Sequence, residues 1–185
     1  MGLDMYLYKK TYVKNWDETP SENRHEVTVT RGGKVVDESA VNPERVTYIV
    51  EDAGYWRKAN AIHRWFVANV QEGVDNCGTY YVSREKLQHL LAVVERVLEA
   101  SELVDGKIAN GFTFKDGKET PILADGQYIK DPGVARALLP TTDGFFFGST
   151  DYDQYYIEDL AETRRILAEA LAGDESAEFE YTSSW

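Results

Sequence analysis

The chain has 185 residues, 43% of them hydrophobic and 12% aromatic, which suits one globular domain with a proper core and excludes a disordered chain. Its formal net charge is −12, and a single cysteine, Cys77, excludes an intrachain disulfide or a multi-cysteine zinc site. No apolar run approaches the roughly 20 residues of a membrane-spanning helix.

The opening MGLDMYLYKK places its lysines after its apolar residues and has no long apolar core, unlike a signal peptide. Tyr6 stands where a myristoylation motif needs Ser or Thr. These features read as a soluble, intracellular, cytoplasmic protein.

LDMYLYKKTYV (3–13) alternates apolar and polar residues, as a strand with one buried face does. KNWDETPSENRH (14–25) is polar and aperiodic and reads as a loop. HEVTVTRGGKVVDE (25–38) predicts a hairpin about Gly32-Gly33, and VTYIV (46–50) another strand. In GYWRKANAIHRWFVANVQEG (54–73), Ala59, Ile62, Phe66 and Val70 mark the buried stripe of a helix that stops near Gly73. TYYV (79–82) reads as extended. Leu87, Leu90, Leu91, Val94, Val97 and Leu98 form a stronger stripe over 83–100, with Ser83 as N-cap.

Glycines punctuate 101–143, where FTFKDGKETPIL (112–123) predicts a hairpin around Asp116-Gly117 and VARALL a short helix after Pro132. GFFFGS (144–149) reads as a short buried strand. Thr150 and Asp153 have the spacing of a capping box for a helix from about 151 to 171. Its inward residues are Ile157, Leu160, Ile166, Leu167 and Leu171, and Gly173 is its stop. EFEYTS (178–183) alternates as a final strand. The prediction is one α+β domain over 1–185, with a mostly antiparallel sheet and about three main helices.

The charge is uneven. Residues 1–100 hold 15 acidic and 13 basic side chains, residues 101–185 hold 17 and 7. An acidic C-terminal half argues against direct binding of nucleic acid phosphates. It suits a basic partner, or simply keeps the protein soluble.

Arg57, Asn60 and Arg64 fall three and four residues apart and share a face of the predicted helix, with Trp56, Asn60 and His63 on a neighbouring one. Cations and an amide beside tryptophan suit a phosphate or a base, and equally an ordinary amphipathic helix. His63 has the titration range of a general base but no visible partner. No H-x-x-x-H or H-E-x-x-H pair supports a histidine metal site. Asp151 and Asp153, with Asp4 or Asp159, have oxygen-ligand chemistry for a divalent cation, yet two aspartates at a helix start read more simply as caps. Cys77 needs a nearby base to act as nucleophile, and Ser149 lacks the G-x-S-x-G elbow. No enzyme signature and no cofactor motif is present.

MGLDMYL, GYWRKANAIHRWF, YYVSREKL and LLPTTDGFFFGSTDYDQYYIEDL together resemble blocks of small uncharacterised proteins encoded by bacteriophages and prophages. The resemblance implies a bacterial or phage origin, an accessory protein of the host cytoplasm, and no established catalytic residues. If the first strand, first helix and GFFFGSTDYD segment pack side by side, Asp4, Tyr6, Trp56, Arg57, Asn60, His63, Tyr81, Ser149 and Asp153 line one aromatic-walled cleft.

Two functional expectations follow. The first is a non-enzymatic binding protein that engages a host protein, or sequesters a nucleotide-like small molecule, to counter host defence. The second is a small hydrolase or nucleotide-modifying enzyme using His63 with Asp151 and Asp153, with Arg57 and Lys58 on a phosphate and metal-dependent turnover.

Overall fold

In a computed structural model, residues 2–37, 39–115, 118–144 and 147–185 are described. Alternation in the first strand, β1 (Asp4–Tyr12), sends Leu3, Met5 and Leu7 into the core, each 0% exposed, and turns Asp4, Tyr6 and Tyr8 to the opposite face. β1 pairs on one side with β4 (Tyr48–Arg57) and on the other with the last strand, β8 (Glu178–Ser184). β8 in turn pairs with the short β5 (Tyr80–Val82), so the order is β4-β1-β8-β5, antiparallel throughout.

Three helices cover the inward face: α1 (Asn60–Asn69), α2 (Arg84–Ala100) and α4 (Gln154–Leu171). Phe66 of α1 stacks on Tyr181 of β8 with ring centroids 3.9 Å apart. The expected stripe residues Ala59, Ile62, Phe66 and Val70 are all buried, as are Leu87, Leu90, Val94 and Val97 of α2; Leu91 and Leu98 are half-buried. Ser83 caps α2 by accepting the Lys86 amide. No described helix is long and apolar enough to cross a membrane.

The small hairpin forms as expected, β2 (Thr30–Arg31) and β3 (Lys34–Val35) flanking Gly32 and Gly33 at φ 59° and 77°. The second hairpin is far longer than 112–123. β6 (Leu103–Lys115) and β7 (Lys118–Ile129) pair from Leu103↔Ile129 to Lys115↔Lys118, and the predicted turn at Asp116-Gly117 lies outside the described residues. Gly106 and Gly126, read from sequence as punctuation, face each other in the ladder. The Tyr128 ring lies over Gly106 and the Ile108 side chain over Gly126, where any Cβ would collide. The ribbon joins the body at its base through Ile129 N–H to Tyr152 O, while Lys130 N–H to Glu102 O extends its own ladder, both 2.9 Å. The short helix α3 (Gly133–Leu138) follows Pro132 as expected.

Three boundaries differ from expectation. Residues 54–57 belong to β4, and α1 begins only at Asn60, because Lys58 turns the chain at φ 62° while its N–H donates to Leu3 O (2.8 Å). Arg57 and Trp56 therefore share no helical face with Asn60, Arg64 or His63. GFFFGS is not a strand at its described residues: Phe147 N–H closes a turn onto Gly144 O, and Gly148 sits at φ 88°. Phe145 and Phe146 lie outside the described residues. Finally, α4 is capped by Asp153 rather than Thr150, its Oδ1 accepting the amides of Tyr155 and Tyr156 (2.9 and 3.2 Å).

At Gly54 the strand passes directly under α4, and a Cβ there would run into Cγ2 of Ile166. Gly54→Ala should destabilise the protein by about 1–3 kcal/mol, the usual cost of overpacking a core. Urea denaturation of the variant against the parent measures this.

Candidate functional site

Asn60 opens α1 and its side chain is fully engaged. Oδ1 accepts Thr142 N–H (3.1 Å), and Nδ2 donates to Phe147 O and Ser149 O (3.0 and 2.8 Å). Arg64, one turn on, donates to Thr141 O (3.0 Å), and Thr141 N–H reaches the Tyr152 hydroxyl. Together these bonds hold residues 141–144 and 147–149 of a loop against α1. The loop then separates two cavities.

The larger cavity, about 1810 Å³, lies beneath the β6–β7 ribbon, bordered by the loop, the start of α1 and the first turns of α4. Asn60 and Asp153 line it together, as the sequence analysis required of a common cleft, and Arg57, Ser149 and Asp151 border it too. The ribbon and α3 add residues that the sequence reading missed, including Lys107, Ile108, Tyr128 and Arg136. Arg136 stands over the Tyr152 ring, 5.4 Å from its centroid.

The other expected members lie elsewhere. Asp4 and Tyr6 sit on the outer sheet face, where Asp4 accepts the Tyr55 hydroxyl and approaches Arg57 at 4.0 Å. Tyr81 is exposed on edge strand β5, opposite Glu180 in register. Trp56 is a core residue whose indole N–H donates to Thr163 Oγ1 (2.9 Å).

His63 is 1% exposed and borders the second cavity, about 480 Å³, with Asp75, Phe147 and Trp185. Its Nε2 pairs with Asp75 Oδ2 (2.9 Å) and its Nδ1 with the Tyr181 hydroxyl (2.8 Å). Both ring nitrogens are thus occupied, and the expected partnership of His63 with Asp151 and Asp153 is not formed. Burial holds the Tyr181 phenol well above its ordinary pKa. Cys77, in the loop that carries Asp75, is exposed. Among the described residues no group of three or more His, Cys, Asp or Glu side chains is placed to hold a metal ion.

The acid chemistry of the larger cavity centres on α4. Burial raises the Asp153 pKa, against the lowering effect of its two capping amides, and Oδ2 has no partner among the described residues. One turn and a half further, burial raises the Asp159 carboxyl to about 7, with Glu158 and Asp153 adding to the shift. Of these two, Asp153 was legible as a cap, and Asp159 was singled out only as a possible oxygen ligand, not as a buried acid.

Two expectations follow from this geometry. Asn60→Ala leaves one amide and two carbonyls of the loop without their partner, and should cost about 2–3 kcal/mol. Protease cleavage within 141–149 should rise with it, as read by mass spectrometry of the fragments. For Asp159, the folded state holds the proton up to about pH 7 while the unfolded chain releases it near 3.8, so the group's contribution to stability falls as pH rises through that window. Asp159→Asn should therefore stabilise by on the order of 2 kcal/mol at pH 8, allowing for partial solvation. At pH 4 the variant and parent should unfold at nearly the same urea concentration.

Comparison of the chain with family models, with curated proteins and with solved structures finds no match to any of them.

Proposed function

We propose that this chain is an accessory protein that binds a partner protein, receiving a segment of that partner in the cleft beneath the β6–β7 ribbon. The observation that carries the reading is the cleft itself: about 1810 Å³, well above the volume that a small molecule ordinarily fills. Its walls carry both signs of charge, with Arg57, Lys58, Lys107 and Arg136 opposed by Asp151, Asp153 and Glu158. A polypeptide segment presents both signs as well, whereas a nucleotide would set its phosphates against the carboxylates of α4. Exposed Leu123 and Tyr128 add apolar and aromatic surface along the ribbon.

The resemblance of four sequence blocks to phage and prophage proteins supports a partner in the bacterial cytoplasm and a role in countering host defence. The enzyme reading has less support, because His63 and the pair Asp151 and Asp153 border different cavities.

The test is a photo-crosslinking amino acid at Tyr128 inside the cleft and, as control, at Tyr12 on the outer sheet face, in bacterial cells that make the protein. A covalent protein adduct from position 128 and none from position 12 is expected. Absence of any adduct from 128 overturns the reading. A small molecule released from the native protein on denaturation would replace it with sequestration.

A further inference from the structure

We infer that the pocket between α1, residues 142–144 with Phe147, and the end of β8 is a receptor for an alkylated ammonium group. This site is separate from the cleft beneath the ribbon, and the two readings stand or fall independently. Its volume of about 480 Å³ lies in the ordinary range for a small ligand or a single long side chain.

Three aromatic rings border it. His63 and Phe147 meet edge to face, with centroids 5.2 Å apart and planes at 85°. Phe147 and Trp185 stand 6.0 Å apart at 69°. Trp185 is half-exposed and Phe147 is 9% exposed, whereas His63 is buried behind them, so the π surface open to a cation comes from Trp185 and, to a small extent, from Phe147.

The charge agrees. Asp75 and Asp143 both line the pocket. Asp75 also fixes two of the rings, taking His63 Nε2 on Oδ2 (2.9 Å) and the Trp185 indole N–H on Oδ1 (3.1 Å). Tyr181 holds the other side of the imidazole, so His63 is clamped at both nitrogens. A neutral imidazole satisfies this arrangement, with Nε2–H donating to Asp75 and Nδ1 accepting the phenol proton. Arg64 is the one basic side chain lining the pocket among the described residues, and its guanidinium is turned to Thr141 O.

Hydrogen-bond capacity selects the kind of cation. Both Asp75 oxygens already have donors, and Asp143 Oδ1 takes the Gly144 amide (2.9 Å). A primary ammonium, with three N–H groups to satisfy, would have to share acceptors that already serve the protein. A trimethylammonium group has no donors to satisfy and needs only π faces and nearby negative charge. The same chemistry occurs on a choline-type headgroup and on a methylated lysine side chain.

The Trp185 indole N–H, half-exposed at the rim, serves as the reporter in a nitrogen-proton NMR titration. The probes are choline and its neutral isostere 3,3-dimethylbutanol. Choline should shift the Trp185 signal saturably, and the isostere should bind about tenfold more weakly. Asp143→Asn, at an exposed position, should weaken choline several-fold without disturbing the fold, and Phe147→Ala should abolish the saturable shift.

No saturable shift with choline, or equal affinity for both probes, overturns the inference. So does choline binding that neither variant weakens. Phosphocholine and N-trimethyl-lysine amide then separate the two sources: the tighter of them identifies a headgroup or a protein side chain as the natural occupant, and either supports the site.

Discussion

The Asn60 amide is the joint on which both cavities depend. One side chain satisfies three main-chain groups of the 141–149 loop, and does so from the first turn of a helix that is itself pinned by Ile62 and Phe66 in the core. The described part of the loop joins no strand. Buried main-chain groups must find partners, and here the Asn60 amide supplies three of them, with Arg64 and Tyr152 serving Thr141. Without that anchor the loop would neither roof the histidine pocket nor close the inner wall of the cleft.

The chain divides its aromatic residues by role. Trp56, Phe66, Phe179 and Tyr181 are core, and Tyr181 spends its hydroxyl on His63. Tyr6, Tyr8 and Tyr55 run along the outer sheet face, Tyr6 stacked parallel to Tyr8 at 6.2 Å and tilted against Tyr55 at 5.3 Å. Tyr128, Tyr152 and Tyr155 gather at the cleft. Strand alternation places Trp56, Phe179, Tyr181 and the outer tyrosines, and the helical stripe of α1 places Phe66. The third group needs the ribbon to fold back to α4, which no local pattern announces.

That distinction explains how much was legible in the sequence. The α+β class, the buried stripes of α1 and α2, the hairpin at Gly32-Gly33 and the β1 alternation all follow from short-range periodicity. The β4–α1 boundary was missed because the corner is made by Lys58 in the left-handed region, where a glycine would have been the readable sign. The long ribbon was missed for the opposite reason: glycines at 106 and 126 look like breaks, yet they pair across the ladder to seat Tyr128 and Ile108. Their mirrored placement about 116–117 was the available signal. For the site, Arg57, Asn60, Ser149 and Asp153 were brought together, while His63 went to its own pocket, where Asp75 and Tyr181 each take one of its nitrogens.

The loop held by Asn60 is a shared partition: Asp143 and Gly144 border the cleft on one side and the histidine pocket on the other. Thermodynamic linkage makes such a wall symmetrical in its effects. Any occupant that changes the balance of loop positions from one side changes the affinity on the other by the same factor, whichever binds first. The two cavities of this fold are therefore separate in chemistry and share one wall, a few residues of main chain.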